Sequence, residues 1–197
     1  AIAGAAGFDA ARRLSIDRLQ LAPSHRVLIV GAGTGLDLAF LPPNVHVTAI
    51  DVTPAMLKQL ERRAAAAGRS VTTDIMDARR LAFADSSFDA VIMHLILAVM
   101  PQPERGLREA VRVLKPGGRM AVFDKFLRDQ ERPSLKRRLL NALAKPLFSD
   151  LNRRLGPLLA GTPLVIEHDE AAAFGGTYRV VTLMHPGRGP QSAGGAG

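Results

Sequence analysis

The sequence has no cysteine, no tryptophan and a single tyrosine. Without cysteine there is no disulfide, no thiolate metal site, no iron–sulfur cluster and no cysteine nucleophile. No metal is expected, and cysteine usage gives no clue to redox compartment. With one tyrosine, Tyr178, and eight phenylalanines that are not interleaved with basic residues, a stacking platform for single-stranded nucleic acid is hard to build. Long apolar runs are also missing. The longest, residues 90–100, is eleven residues interrupted by His94, whereas a bilayer-spanning helix needs about 20. Residues 1–8 are apolar but follow no basic segment, so they read as a loose or helical lead-in and not as a signal peptide. The cytosol is the expected compartment, and a short N-terminal lid is expected from the few residues before the first strand.

The 197 residues, 47% of them apolar, suit one globular domain over residues 1–185. Residues 186–197, rich in Gly, Pro and Ser, are expected to be a disordered tail. The net charge of +8 favours anionic partners or surfaces without identifying them.

Arg26-Val27-Leu28-Ile29-Val30 is a continuous apolar run closed by Gly31, the pattern of a strand buried on both faces of a parallel sheet. The turn Gly31-Ala32-Gly33-Thr34-Gly35 leads into a short helix over 36–40, broken by Pro42-Pro43. A β-branched strand over 45–50 ends at Asp51. Thr53-Pro54 then supplies a helix cap and a first-turn proline, and the helix runs to Gly68 with Leu57, Leu60 and Ala64 on one face. Further strands are expected over 70–75, 88–94 and 119–124, with a helix over 104–114 stopped by Pro116-Gly117-Gly118. Residues 164–173 and 177–185 close the chain as a hairpin about Gly175-Gly176. This alternation argues an α/β fold, a three-layer αβα sandwich around a mostly parallel seven-stranded sheet. Ligands of such sheets bind at the carboxyl ends of the strands, which puts Gly31 to Gly35, Asp51, Asp77, His94 and Asp124 along one rim.

A glycine turn at a helix N-terminus lets backbone approach a ligand, and a carboxylate ending the second strand can accept hydrogen bonds from both hydroxyls of a ribose. Asp51 stands twenty residues after Gly31. The same pair suits a nicotinamide or flavin cofactor, but the dinucleotide fingerprint wants a small residue where this chain has Leu36.

Four segments in order, 27–35, 49–57, 77–91 and 112–118, resemble the class I S-adenosylmethionine-dependent methyltransferases, in particular the small-molecule group that includes the ubiquinone and menaquinone enzymes. They carry Gly31-Ala32-Gly33-Thr34-Gly35, Asp51-Val52-Thr53-Pro54, Asp77-Ala78 with Ser87-Phe88-Asp89, and Leu114-Lys115-Pro116-Gly117-Gly118. The resemblance implies a Rossmann-like sheet with an antiparallel C-terminal strand and S-adenosylmethionine as cofactor, with S-adenosylhomocysteine as product. It implies that Gly31, Ala32, Gly33, Thr34 and Gly35 border the methionine part and that Asp51 holds the ribose, with Val52 and Met56 also among the cofactor-binding residues. It also implies that Asp77 and Ala78 meet the adenine and that His94 lies beside the methyl group. Where the family usually has an acid two residues before the first glycine, this chain has Ile29. The Asn/Asp-Pro-Pro-aromatic motif of amide and nucleobase methylation is replaced by Met93-His94-Leu95-Ile96, so no nucleic-acid partner is expected.

His94 is the candidate catalytic base, since a neutral imidazole can take a proton near neutral pH; the alternative is a hydrogen-bonded structural histidine. Residues 128–154 carry eight basic residues against three acidic ones, within a leucine-rich cap over 126–162. That cap is a candidate for peripheral contact with the inner membrane surface or for covering an amphiphilic acceptor. Alternatively the leucines pack on the sheet and the charges face water. The expected activity is methyl transfer to a small apolar or amphiphilic acceptor. The alternatives are a phospholipid ethanolamine-headgroup N-methyltransferase and a non-catalytic S-adenosylmethionine-binding module.

Overall fold

The computed structural model describes residues 2–126, 154–173 and 176–187, with side chains described from residue 6. Most of the basic leucine-rich cap, Gly175 and the tail from 188 onward lie outside the described residues. The described elements are α1 (Ile2–Asp17), β1 (Arg26–Val30), a 3-10 turn (Leu36–Phe40), β2 (His46–Asp51), α2 (Pro54–Ala66), β3 (Val71–Ile75) and β4 (Phe88–His94). They continue with α3 (Pro103–Val113), β5 (Leu114–Lys125), α4 (Leu155–Leu159), β6 (Val165–Ala173) and β7 (Tyr178–Met184).

The sheet has seven strands in the order β3-β2-β1-β4-β5-β7-β6. β1 through β5 pair in parallel, and β7 runs antiparallel to both β5 and β6. The expected sheet with an antiparallel C-terminal strand is therefore what forms. After β1 the chain steps outward to β2 and β3, then returns to β4 on the other side of β1. The carboxyl ends of β1 and β4 thus border the crevice where strand order reverses.

Alternation along β1 divides the core into two layers. Val27 and Ile29 point into the layer with Ile16, Leu38, Leu57, Leu60 and Ala64, on the side of α1 and α2. Leu28 and Val30 join Leu107, Ala110, Val113, Leu155 and Leu158 on the side of α3 and α4. Covered on both faces, β1 and β4 are buried nearly end to end, which is why they read as continuous apolar runs.

Three details differ from the sequence reading. The lead-in is a sixteen-residue helix, α1, whose Phe8 and Ala11 pack on Phe123, Val180 and Tyr178. Thr53 makes no side-chain cap; the Thr53 N–H instead donates to Asp51 Oδ1 at 2.9 Å, with Pro54 in the first turn of α2. β5 begins at Leu114 directly after α3, and the Pro116-Gly117-Gly118 turn is absorbed as an irregularity between the Phe88/Leu114 and Ala90/Arg119 pairs.

Candidate functional site

Backbone hydrogen bonds fix the glycine turn before any ligand is considered. The Ala32 N–H donates to the Ile50 carbonyl at 2.9 Å and the Gly35 N–H to the Ala32 carbonyl at 3.0 Å, tying the turn to the end of β2. Gly31 has φ +67°, and a Cβ there would meet the Ile96 side chain at 2.7 Å, so the loop after β4 closes directly over this residue. A Cβ on Gly35 would meet Leu60 of α2 at 2.7 Å, whereas one on Gly33 would meet nothing within 4 Å. Two glycines are thus held by protein packing, and Gly33 faces open space.

Asp51, the last residue of β2, braces this turn. Its Oδ2 accepts the Gly33 N–H and its Oδ1 the Thr53 N–H, both at 2.9 Å. A carboxylate has about four acceptor positions, so two remain for a diol. Val52 beside it is 65% exposed and Met56 39%, apolar surface that a ligand would cover.

Next along the rim is a cleft of about 310 Å³ lined by Val52, Asp77, Ala78, Arg79, Ile96, Val99, Met100 and Pro101. Its walls are chiefly apolar, and Asp77 stands among them. The Arg79 guanidinium grips the Asp77 carboxylate, with Nε at 3.0 Å from both oxygens and Nη2 at 2.6 Å from Oδ2. These hydrogen bonds, with the Arg79 backbone N–H, hold the Asp77 carboxyl below its usual range. A larger groove of about 480 Å³ lies between α2 and the edge strand β3, lined by Lys58, Glu61 and Thr73 among others, but no glycine-turn residue lines it.

The loop over the cleft is anchored by Asp124, the last buried residue of β5. Its Oδ2 accepts the Ala98 N–H at 3.0 Å and its Oδ1 the Lys125 N–H at 2.7 Å. Burial pushes this carboxyl up, and the backbone hydrogen bonds oppose the shift only in part. Asp124 thus anchors the loop over the cleft.

His94 ends β4 in a buried polar array. Nδ1 lies 2.8 Å from Asp37 Oδ1 and Nε2 lies 3.0 Å from Ser15 Oγ, with the residue 5% exposed. Because a carboxylate only accepts, Nδ1 carries a proton; in the neutral ring, Nε2 accepts from the Ser15 hydroxyl. Both nitrogens are thereby hydrogen-bonded within the protein. Arg12 reaches the same carboxylate, with Nε 3.2 Å from Oδ1. Burial opposes ionisation of Asp37, but the attraction and hydrogen bond of His94, together with the Arg12 charge, outweigh it and lower its pKa.

Arg12, Ser15 and Asp37 are the residues that sequence reasoning missed. Phe8, Ala11 and Ser15 share one face of α1, and the signal lay in two polar residues, Arg12 and Ser15, standing on its buried side. Ile29 is packed in the apolar layer with Leu38 and Ile92, so no acid enters the rim from that position. Among the described residues, no group of three His, Asp or Glu side chains is placed to hold a metal. Among them also, no helix is long and apolar enough to cross a membrane.

Residues 27–118 match the family model described as a methyltransferase domain. A phosphatidylethanolamine N-methyltransferase of Cereibacter sphaeroides is 38% identical over 107 residues, covering 53% of this chain and 53% of the relative. A demethylmenaquinone methyltransferase of Renibacterium salmoninarum is 38% identical over 114 residues, covering 57% of this chain and 46% of the relative. The chain spans about half the length of the curated relatives it matches. Among solved structures, the cyclase SpnF superposes with a TM-score of 0.77 at 22% identity, over 91% of this chain and 82% of that one. A geranyl diphosphate C-methyltransferase of Streptomyces coelicolor A3(2) gives 0.76 at 15%, over 89% and 80%. With the four motifs in register on this sheet, residues 27–118, just under half of the chain, carry the match to the methyltransferase-domain family.

Proposed function

We propose that this chain binds S-adenosylmethionine at the carboxyl rim and directs its methyl group to a small apolar or amphiphilic acceptor. The observation that carries the reading is the Gly33–Asp51 pair beside the apolar cleft that ends at Asp77. Asp51 takes the ribose hydroxyls on its two remaining acceptor positions. Val52, Ile96 and Val99 face the adenine, and Asp77 and Ala78 border its edge. Gly31 through Gly35 border the methionine part, Gly33 giving it room and Met56 covering the ribose side.

The bound cofactor supplies a methyl group made electrophilic by a sulfonium centre, with S-adenosylhomocysteine as product. The transfer is an in-line displacement, so the chain's task is alignment and exclusion of water, and a dedicated base is optional. His94 accordingly acts as a positioning residue that holds α1 against the end of β4.

The acceptor has two candidate classes, a demethylated quinone and an ethanolamine-headgroup lipid. The lipid reading is supported by the name of the Cereibacter sphaeroides relative and by the basic, leucine-rich composition of 128–154. Calorimetric titration of S-adenosylmethionine tests the shared reading. The expected result is a dissociation constant on the order of micromolar, lost in Asp51→Ala; a folded wild type that binds neither cofactor nor product overturns it. Transfer of methyl label to phosphatidylethanolamine vesicles but not to a dispersed demethylated quinone selects the lipid acceptor, and the reverse removes it.

A further inference from the structure

The sheet ends in β3 on one side and β6 on the other, and the two edges are finished differently. β6 carries Glu167, Asp169 and Glu170, each held by an arginine: Arg119, Arg179 and Arg18 respectively. Its pairing with β7 is also interrupted by register shifts. Charges and bulges of this kind discourage a further strand from joining a sheet. β3 pairs with β2 in unbroken register, and Asp74 is its one charged residue.

The free side of β3 can be read residue by residue. The Met76 N–H donates to the Asp51 carbonyl of β2 at 3.1 Å. Strand backbone alternates, so Thr72 and Asp74 also turn toward β2, while Val71, Thr73 and Ile75 turn their N–H and C=O groups outward. Among the described residues, no hydrogen bond reaches these outward backbone groups. The side chains of the same three residues lie on the α2 face, where Thr73 bonds to Glu61. Beside them runs the groove of about 480 Å³, whose apolar walls are Pro54, Leu57 and Ile75, and Ile75 is 64% exposed.

This strand is complementary to itself. A two-fold axis normal to the sheet through Thr73 sets a second copy antiparallel and keeps every side chain on its own face. Thr73 then stands opposite Thr73 of the second copy, and Val71 opposite its Ile75, in both directions. These are the three outward residues, so each pair is of the kind that exchanges both main-chain hydrogen bonds. On the α2 face, Val71 of the second copy enters the groove beside Ile75, a favourable β-branched pair. On the other face the exposed Thr72 and Asp74 meet across the seam, so no like charges stand opposite one another. We propose that β3 is the seam of a homodimer in which the sheet continues from one copy into the next. β2 separates this edge from the crevice at β1 and β4, so pairing leaves the crevice open. A seam one five-residue strand long is at the small end of interface size. The dimer is therefore weak, with a dissociation constant on the order of 10 to 100 µM.

Sedimentation equilibrium of the whole chain, from about 1 µM to 1 mM, is expected to show a monomer passing into a dimer. Thr73→Pro removes the N–H at the two-fold and none of the bonds to β2, and should weaken the dimer about tenfold or more. Ile75→Lys, at a side chain already exposed, is a second disruption that holds if Thr73→Pro does not fold. Thr72→Lys puts an ammonium opposite Asp74 of the second copy and should tighten the dimer about twofold or more. Because the chain has no cysteine, Thr73→Cys carries a single thiol. A short bismaleimide is expected to link it to a second copy, and not to link Arg108→Cys, an exposed position on α3. A wild type that stays monomeric throughout overturns the proposal and leaves the edge to a strand from another protein. A dimer unaffected by the disruptions at Thr73 and Ile75 overturns it as well, because its seam lies elsewhere.

Discussion

The two ends of the rim are built on opposite plans. At the Asp51–Asp77 end, the two carboxylates are partly exposed and their partners, Gly33, Thr53 and Arg79, lie nearby in the chain or in the facing turn. At the other end, Arg12, Ser15, Asp37 and His94 are all at most 7% exposed and come from three separate elements. An exposed carboxylate keeps water as an alternative partner, so its removal costs mainly the ligand. A buried cluster has no such alternative, and removal of one member leaves the others desolvated without compensation.

The largest effect expected from this contrast is on binding at the exposed end. Asp51→Ala should weaken S-adenosylmethionine by about a hundredfold or more, since two charge-assisted hydrogen bonds are lost. Its urea unfolding midpoint should move much less than that of the variant below. A large midpoint shift with unchanged affinity would show that Asp51 serves only to brace the Gly33 and Thr53 backbone.

At the buried end the expected effect is on stability. Asp37→Ala strands the Arg12 charge, and the cost of breaking such a buried pair is about 3–5 kcal/mol, read from urea unfolding. The pH dependence has a defined sign. The folded carboxyl of Asp37 sits below its ordinary 3.8, so its contribution is present above that value and disappears as pH falls through the lowered one. Wild type should lose stability on that acid limb, and Asp37→Ala should lose less. Equal acid limbs would mean that the carboxylate gains nothing from its neighbours.

The same contrast explains what could be read without coordinates. The strands, their order of appearance, the glycine turn and Asp51 were legible because each is a local pattern: an apolar run, φ-permissive residues, an acid at a strand end. Asp124 could be placed on the rim, but not its hydrogen bond to Ala98, which depends on how the loop after β4 folds back. The buried cluster was illegible for a stronger reason. Its longest-range hydrogen bond, Ser15 to His94, spans 79 residues, and no short-range spacing records that contact. Residues 1–8 read as a loose or helical lead-in, and the burial of Arg12 and Ser15 has meaning only once Asp37 and His94 face them.

Between the two ends lies Gly31, where the glycine turn meets the loop over the cleft. Gly31→Ala places a Cβ 2.7 Å from Ile96 on a backbone at φ +67°. The strain costs about 1–3 kcal/mol in unfolding experiments, and the displaced loop should lower affinity for the nucleoside. The matching experiment compares 5′-methylthioadenosine binding in wild type and variant. An unchanged affinity would mean that Ile96 yields without disturbing Val99 and Met100.

The smallest effect concerns Asp124, which sharpens the comparison because it is a buried carboxylate without a cation gripping it. Its carboxyl is raised by burial, and the Ala98 and Lys125 N–H groups, with the Leu97 backbone and the Lys125 charge, compensate only in part. The sign is therefore opposite to that of Asp37. A raised folded pKa contributes stability that is fully present below the unfolded value of 3.8 and is lost as pH rises through the folded one. Asp124→Asn keeps the shape and one acceptor while removing this titration. It should be less stable than wild type at the acid end, and the deficit should shrink as pH rises toward neutrality, when the wild-type side chain must carry its charge in the interior. A deficit that instead grows with pH would mean that the two N–H donors stabilise the carboxylate as fully as Arg12 and His94 stabilise Asp37. Burial at this rim would then favour ionised carboxylates at both positions, with or without a neighbouring cation.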